Sequence, residues 1–168
     1  GTEDTKGTQL QKDAYALLQA GATPEGAEKA VPWGQHIYAP YFALNRGEQP
    51  TPTQAAQMME YALDSGVPSW IRMALECGAD PNGYCSGELA PQTEGWTYLY
   101  RAIIGGECGY VDSVGTAREL LLAGANPNKR NINGLVPLQS WRCRDKKVTV
   151  LLDFGADPKL ANTPEQIP

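Results

Sequence analysis

Leu120-Leu121-Leu122-Ala123-Gly124-Ala125-Asn126-Pro127-Asn128 reads as the end of an amphipathic helix followed by a stop. Leu120 and Leu121 supply an apolar face, and Gly124 stands where a helix takes a left-handed residue just past its end. Pro127 then forbids continuation. The same form recurs as Leu75-Glu76-Cys77-Gly78-Ala79-Asp80-Pro81-Asn82 and as Leu152-Asp153-Phe154-Gly155-Ala156-Asp157-Pro158-Lys159. A fourth copy is Leu18-Gln19-Ala20-Gly21-Ala22-Thr23-Pro24-Glu25. Four copies of Leu-x-x-Gly-Ala-x-Pro make an internal repeat, and a repeat takes precedence over other sequence signals.

Outward from these stops the chain reads as helix, tight turn, helix, glycine, polar connection. Residues 1–7 form a polar end, and a helix from Thr8 ends at Gly21. Residues 22–38 hold Pro24, Gly26, Pro32 and Gly34 and read mostly as loop, with Trp33, His36, Ile37 and Tyr38 tucked against a neighbour. A short helix spans 39–46. Thr51-Pro52 is a capping Thr with Pro at the first helical position and opens a helix to Gly66. Pro68-Ser69 opens the next, to Gly78. Residues 83–95 are a long connection; Thr97 caps a helix over 98–104, and 110–119 lead into the Leu120 helix. A polar connection spans 129–134. Pro137 starts a short helix through Trp141, residues 147–154 form the last helix, and 160–168 are a tail. No stretch shows sustained period-two alternation, so the expected fold is all-α. Each helix pair has one apolar face, and stacking pairs side by side buries them in a solenoid.

The 168 residues suffice for one domain with a real core, and 42% are hydrophobic, which excludes a disordered tail. Net charge is −5, from 14 basic and 19 acidic residues; this argues against nucleic acid and favours a protein partner with a basic face. No apolar run approaches the roughly 18 residues of a membrane span. The first residue is Gly1, so a leader or anchor is compatible with the sequence. The four cysteines, Cys77, Cys85, Cys108 and Cys143, show no metal-ligand spacing; disulfides in an oxidising compartment and reduced thiols both fit the even count.

The residues resemble the ankyrin repeat family. Gly134-Leu135-Val136-Pro137-Leu138-Gln139 is similar to that family's Thr-Pro-Leu-His helix start, and Val148-Thr149-Val150-Leu151-Leu152-Asp153-Phe154-Gly155-Ala156-Asp157-Pro158 to its second-helix ending. Gly95-Trp96-Thr97-Tyr98-Leu99-Tyr100-Arg101-Ala102 is a looser match, and residues 70–82 match well. The resemblance implies an ankyrin-type helical solenoid: a divergent amino-terminal cap over 1–50, then about three repeats at 51–82, 96–128 and 134–159 and a tail. The stop glycines 21, 78, 124 and 155 lie 57, 46 and 31 residues apart, against about 33 in the family. Gln139 and Tyr100 stand where the family has His. A gapless shift of 58 residues also aligns 39–68 with 97–126; the Gly78 stop favours pairing the 52–65 helix with 70–77 instead.

No arrangement of side chains calls for catalysis. His36 is the only histidine and has no nucleophile or carboxylate at a diagnostic spacing. The glycine-rich runs 86–88 and 105–109 join no strand to a helix, so they read as turns rather than phosphate cradles. The expectation is a non-enzymatic protein without cofactor or metal. Its aromatic residues gather in connections and first helices, the segments that form the concave binding face in the resembling family. Tyr and Trp dominate interfaces because they give large contact area at small entropic cost. Candidate partner-binding residues are therefore Tyr84, Trp96, Tyr98, Arg101, Arg130, Trp141 and Arg142, with Tyr84 and Trp96 flanking the long connection. Tyr100 and Trp141 also occupy positions that pack between repeats in that family. Arg101, Lys129, Arg130, Arg142 and Arg144 form a basic set on an acidic chain.

The reading is a protein-binding module. Its sharper form is a periplasmic or secreted bacterial inhibitor of the immunity type that neutralises an effector, and its alternative a cytoplasmic scaffold or regulator. Stacked repeats of the resembling kind put helix–helix turns at one end and glycine stops at the other. That geometry favours Cys77–Cys85 and Cys108–Cys143 as the disulfide pairs.

Overall fold

A computed structural model describes residues 15–29, 35–105 and 112–162. They form helix α1 over 15–19, then α2 (Pro24–Lys29), α3 (Gln35–Asn45), α4 (Pro52–Ser65), α5 (Pro68–Glu76), α6 (Tyr98–Ile104), α7 (Ser113–Leu122), α8 (Lys146–Asp153) and α9 (Pro158–Ala161). Two 3₁₀ turns, Pro91–Thr93 and Pro137–Gln139, complete the set. The structure is all-α among the described residues: no strand forms there, and Tyr84 and Thr97 make an antiparallel bridge. None of these helices is long and apolar enough to cross a membrane.

The repeated stop is one backbone motif used five times. At Gly21, Gly47, Gly78, Gly124 and Gly155 the glycine amide donates to the carbonyl three residues back. The following amide donates to the carbonyl five back, at 2.8–3.1 Å. These are the paired bonds of a Schellman ending, and the glycines hold φ between 93° and 104°, where a side chain is strained. Gly47 adds a fifth stop to the four seen as Gly-Ala-x-Pro. The 57-residue interval is thereby divided, and the stops pair off as Gly47–Gly78 and Gly124–Gly155, each 31 residues apart.

Residues 22–38 differ from the loop expected of them, since they contain α2 and the start of α3. Pro40 lies inside α3. What holds that helix is its apolar face: Tyr38, Tyr41 and Phe42, at helical spacing, are all buried. The other amino-terminal signals behave as written. Thr51 Oγ1 accepts from Gln54 N at 3.1 Å while Gln54 Oε1 accepts from Thr51 N at 2.9 Å, a reciprocal capping box at the start of α4.

The chain divides into two compact units, residues 1–59 with 69–79 and residues 60–68 with 80–168. The core of the first is aromatic and sulfur-rich. Tyr38 packs on Trp70 with ring centroids 5.0 Å apart, Tyr41 meets Phe42 edge-on at 6.2 Å, and Met58, Met59, Ile71 and Met73 fill the remainder. Gln49 Nε2 donates to Cys77 O at 3.4 Å, joining the connection after Gly47 to the end of α5.

In the second unit α6 packs on α7 and α7 on α8. Leu99, Ile103, Leu120 and Leu151 are fully buried between them. Thr97 caps α6 by accepting from Tyr100 N at 3.0 Å, as its position in sequence implies. The connections are tied to the following stops by two asparagines in equivalent places. Asn82 Nδ2 donates to Gly124 O at 3.3 Å and its Oδ1 accepts from Asn126 N at 2.7 Å. Asn128 repeats the pattern, with Gly155 O at 3.2 Å and Asp157 N at 2.7 Å. The residue that opens each connection, Asp80, Asn126 or Asp157, accepts from the amide two residues on at 2.9–3.0 Å. The helix expected from Pro137 to Trp141 is instead the 3₁₀ turn Pro137–Gln139. It ends at Ser140, whose ψ of 137° turns the chain extended before Trp141.

Candidate binding surface

Two connections of the second unit lie side by side. In the long one, Cys85 N donates to Trp96 O at 2.8 Å, Gly95 N to Cys85 O at 3.0 Å and Tyr98 N to Gly83 O at 3.0 Å. The next connection joins it through Ile132 N, which donates to Gly95 O at 3.0 Å. Gly95 permits this approach: with φ at 78°, a Cβ there would stand 2.5 Å from Ile132 Cγ2. Asn131 fixes its own loop, its buried Oδ1 accepting from Asn133 N at 2.9 Å and Leu135 N at 3.0 Å.

This scaffold holds aromatic and aliphatic side chains out in water. Tyr84 is 48% exposed, Ile132 71% and Trp141 62%. Trp96 is half-buried and meets Trp141 edge-on, with centroids 6.3 Å apart; on its other side it meets buried Tyr100 at 5.2 Å. Edge-to-face rings of this kind fix one another's orientation. Tyr84 carries the Lys129 ammonium 4.4 Å from its ring centroid, and its hydroxyl lies 3.5 Å from Arg130 O. Lys129 also donates to Asn82 O. The Arg130 guanidinium bonds to Gly134 O at 2.7 Å, which leaves its side chain folded over its own loop.

Beyond Trp141 the surface becomes strongly cationic. Trp141, Arg142, Arg144, Asp145 and Lys147 line an open depression of about 650 Å³. Lys147 Nζ donates to Ile103 O at 2.7 Å, so its charge is held in place at the end of α6. Burial lowers the pKa of that ammonium, and repulsion from Arg142 and Arg144 lowers it further. Asp145 has φ 51°, the single positive value among the described residues other than glycine.

Of the seven candidates from sequence, five come together here: Tyr84, Trp96, Arg130, Trp141 and Arg142. Tyr98 and Arg101 do not. Tyr98 is 4% exposed, and burial raises its phenol pKa to about 12, with Glu60, Cys85 and Asp80 adding to the shift. Arg101 is 8% exposed, donates to Gly105 O at 2.6 Å and pairs with Asp64 at 3.3 Å. Its guanidinium caps the carboxyl end of α6. Trp141 is in water, whereas Tyr100 takes the packed position foreseen for both. Ile132 and Lys147 went unseen in the sequence: the first is one apolar residue in a polar connection, and the second is fixed by a partner 44 positions away.

The expected Cys77–Cys85 bridge is absent, because both residues are free, buried thiols. Each is buried: Cys77 closes the last turn of α5, and Cys85, near Thr93, Glu60 and Arg101, is held by its backbone bonds to residues 95 and 96. Burial raises both pKa values to about 12. Cys143 is a half-buried free thiol, while Cys108, its proposed partner, lies outside the described residues, as do His36's side chain, Trp33 and Tyr110. No group of three or more metal-ligating side chains gathers among the described residues. No protein family's sequence profile, no curated protein and no solved structure matches this chain.

Proposed function

We propose that this chain is a non-enzymatic, ankyrin-type repeat protein that binds another protein through the surface around Trp141, Trp96, Ile132 and Tyr84. The observation that carries this reading is the pair Ile132 and Trp141, 71% and 62% exposed, the first on the connection bonded to Gly95 and the second edge-on to Trp96. Large apolar side chains held rigidly in water gain free energy when a partner covers them, and aromatic anchors dominate such contacts. The paired stops 31 residues apart and the matching Asn82 and Asn128 bridges support the repeat reading. A surface built on loops, with no catalytic constellation beside it, suits a protein that acts by covering its partner, as an inhibitor of the immunity type does.

The test is the variant Trp141→Ala/Ile132→Ala. Affinity capture from extracts with mass spectrometry should find a partner of the parent protein that the variant loses, with melting unchanged. Equal capture by both proteins would overturn the assignment of the surface.

A further inference from the structure

We infer that the partner of this surface presents an acidic segment with an aromatic or aliphatic residue among its carboxylates. This rests on the binding-module reading and adds the partner's chemistry. It reverses the partner that net charge favours, because the charge is unevenly spread. Between Lys129 and Lys147 fall six of the chain's 14 basic residues and one of its 19 acidic residues. The rest of the chain holds 8 basic residues (14 − 6) against 18 acidic ones (19 − 1), so this segment reverses the acidic balance of the sequence.

Three cations, Arg142, Arg144 and Lys147, line the depression with Trp141, against the single carboxylate of Asp145. Lys147 is anchored to Ile103 O, while Arg142 and Arg144 are exposed and make no ion pair among the described residues. Their mutual repulsion is a standing electrostatic cost that a carboxylate ligand removes. An exposed guanidinium offers two parallel donors that match a carboxylate. Trp141 lines the same depression and meets Trp96 edge-on, and Ile132 is exposed on the connection bonded to Gly95, so this apolar surface can cover a flanking aromatic or aliphatic side chain. A segment carrying both features satisfies the whole surface. Nucleic acid would meet the same cations, but it would also face the acidic remainder of the chain and lose the counterion gain that a continuous basic face provides.

The experiment is selection of a random dodecapeptide phage library on the immobilised protein, on Arg142→Glu/Arg144→Glu, and on Trp141→Ala. The expected result is enrichment of peptides rich in Asp and Glu with one or more aromatic or aliphatic residues. A synthetic copy of the best peptide should bind the parent on the order of tenfold or more tightly than either variant. Binding should weaken as salt rises from 0.05 to 0.5 M, since the screening length shrinks from above about 10 Å to well below it. Enrichment of neutral peptides that depends on Trp141 but survives the charge reversal would overturn the acidic partner and leave the binding module standing. Absence of any peptide that depends on Trp141 would overturn both. Tighter binding of a labelled single-stranded oligonucleotide than of the best peptide would give the surface to nucleic acid. A concentration-dependent dimer dissolved by the charge reversal would give it to a second copy of the chain; either result refutes the inference.

Discussion

Replacing Asn82 and Asn128 by alanine tests whether the repeat is held together by its connections. Each side chain donates to the carbonyl of the following stop glycine and accepts from the amide two residues beyond it. Alanine removes both bonds without disturbing the core. A typical intramolecular bond contributes about 0.5–1.5 kcal/mol net. Both sites face solvent, so water takes over part of each role, and the expected loss is about 1–2 kcal/mol per variant. The two side chains bond different groups but Asn126 bonds both residues, so any departure of the double variant from the sum measures their coupling through Asn126. Asn82→Asp keeps the acceptor for Asn126 N but puts a carboxylate against Gly124 O, and should lose as much as Asn82→Ala. Urea unfolding followed by circular dichroism gives the values, with an unchanged slope as the sign that only stability moved. Both alanine variants within about 0.3 kcal/mol of the parent would refute the reasoning, since surface substitutions with no structural role commonly fall in that range.

Other outcomes follow from single positions. Gly95→Ala forces a Cβ against Ile132 at positive φ and should cost about 1–3 kcal/mol in urea unfolding. Asp145→Gly removes a side chain from positive φ and should stabilise by about 1 kcal/mol, read as a higher melting temperature. Iodoacetamide at pH 8 should modify half-buried Cys143 before buried Cys77 and Cys85, whose thiols titrate near pH 12; peptide mapping checks the order. The same shifts set an alkaline limit. Unfolded thiols ionise from about pH 9 while folded Cys77 and Cys85 keep their protons to about 12, so their contribution is intact below pH 9 and is lost between 9 and 12. Urea midpoints that stay constant across that window would contradict the burial assigned to them.

The stops and caps were legible because each is local. Gly124, Gly78 and Thr51 declare themselves within about six residues of chain, through a positive φ or a hydroxyl that meets an amide three residues on. Gly47 was legible as the end of a helix but not as a member of the series, since Glu48 stands where the others carry Ala, although Leu44 and Pro50 keep the rest of the pattern. Helix α3 was only partly legible: Pro32, Gly34 and Pro40 argue for loop, and burial of Tyr38, Tyr41 and Phe42 overrides them. At the binding surface, residue type picked out Tyr84, Trp96 and Trp141. What separated them from Tyr98 was the backbone: a single antiparallel bridge leaves Tyr84 exposed, while Tyr98 begins α6 and packs over Gly83. Arg101 reads as a surface cation until Asp64 and Gly105 O are brought to it from elsewhere in the fold. Lys147 and Ile132 gain their meaning from contacts 44 and 37 residues away, and no local pattern carries those.

The central claim, that this surface is where a protein partner lies, is tested most directly by amide chemical shifts. The ¹⁵N-labelled protein is titrated with the best peptide from the library selection. The account predicts shift changes concentrated at residues 84, 95–97, 129–133 and 141–147, with the Trp96 and Trp141 indole signals among the largest. Shifts centred on the residues around Tyr38 and Met73, or spread over α7 with the loop signals unmoved, would contradict it.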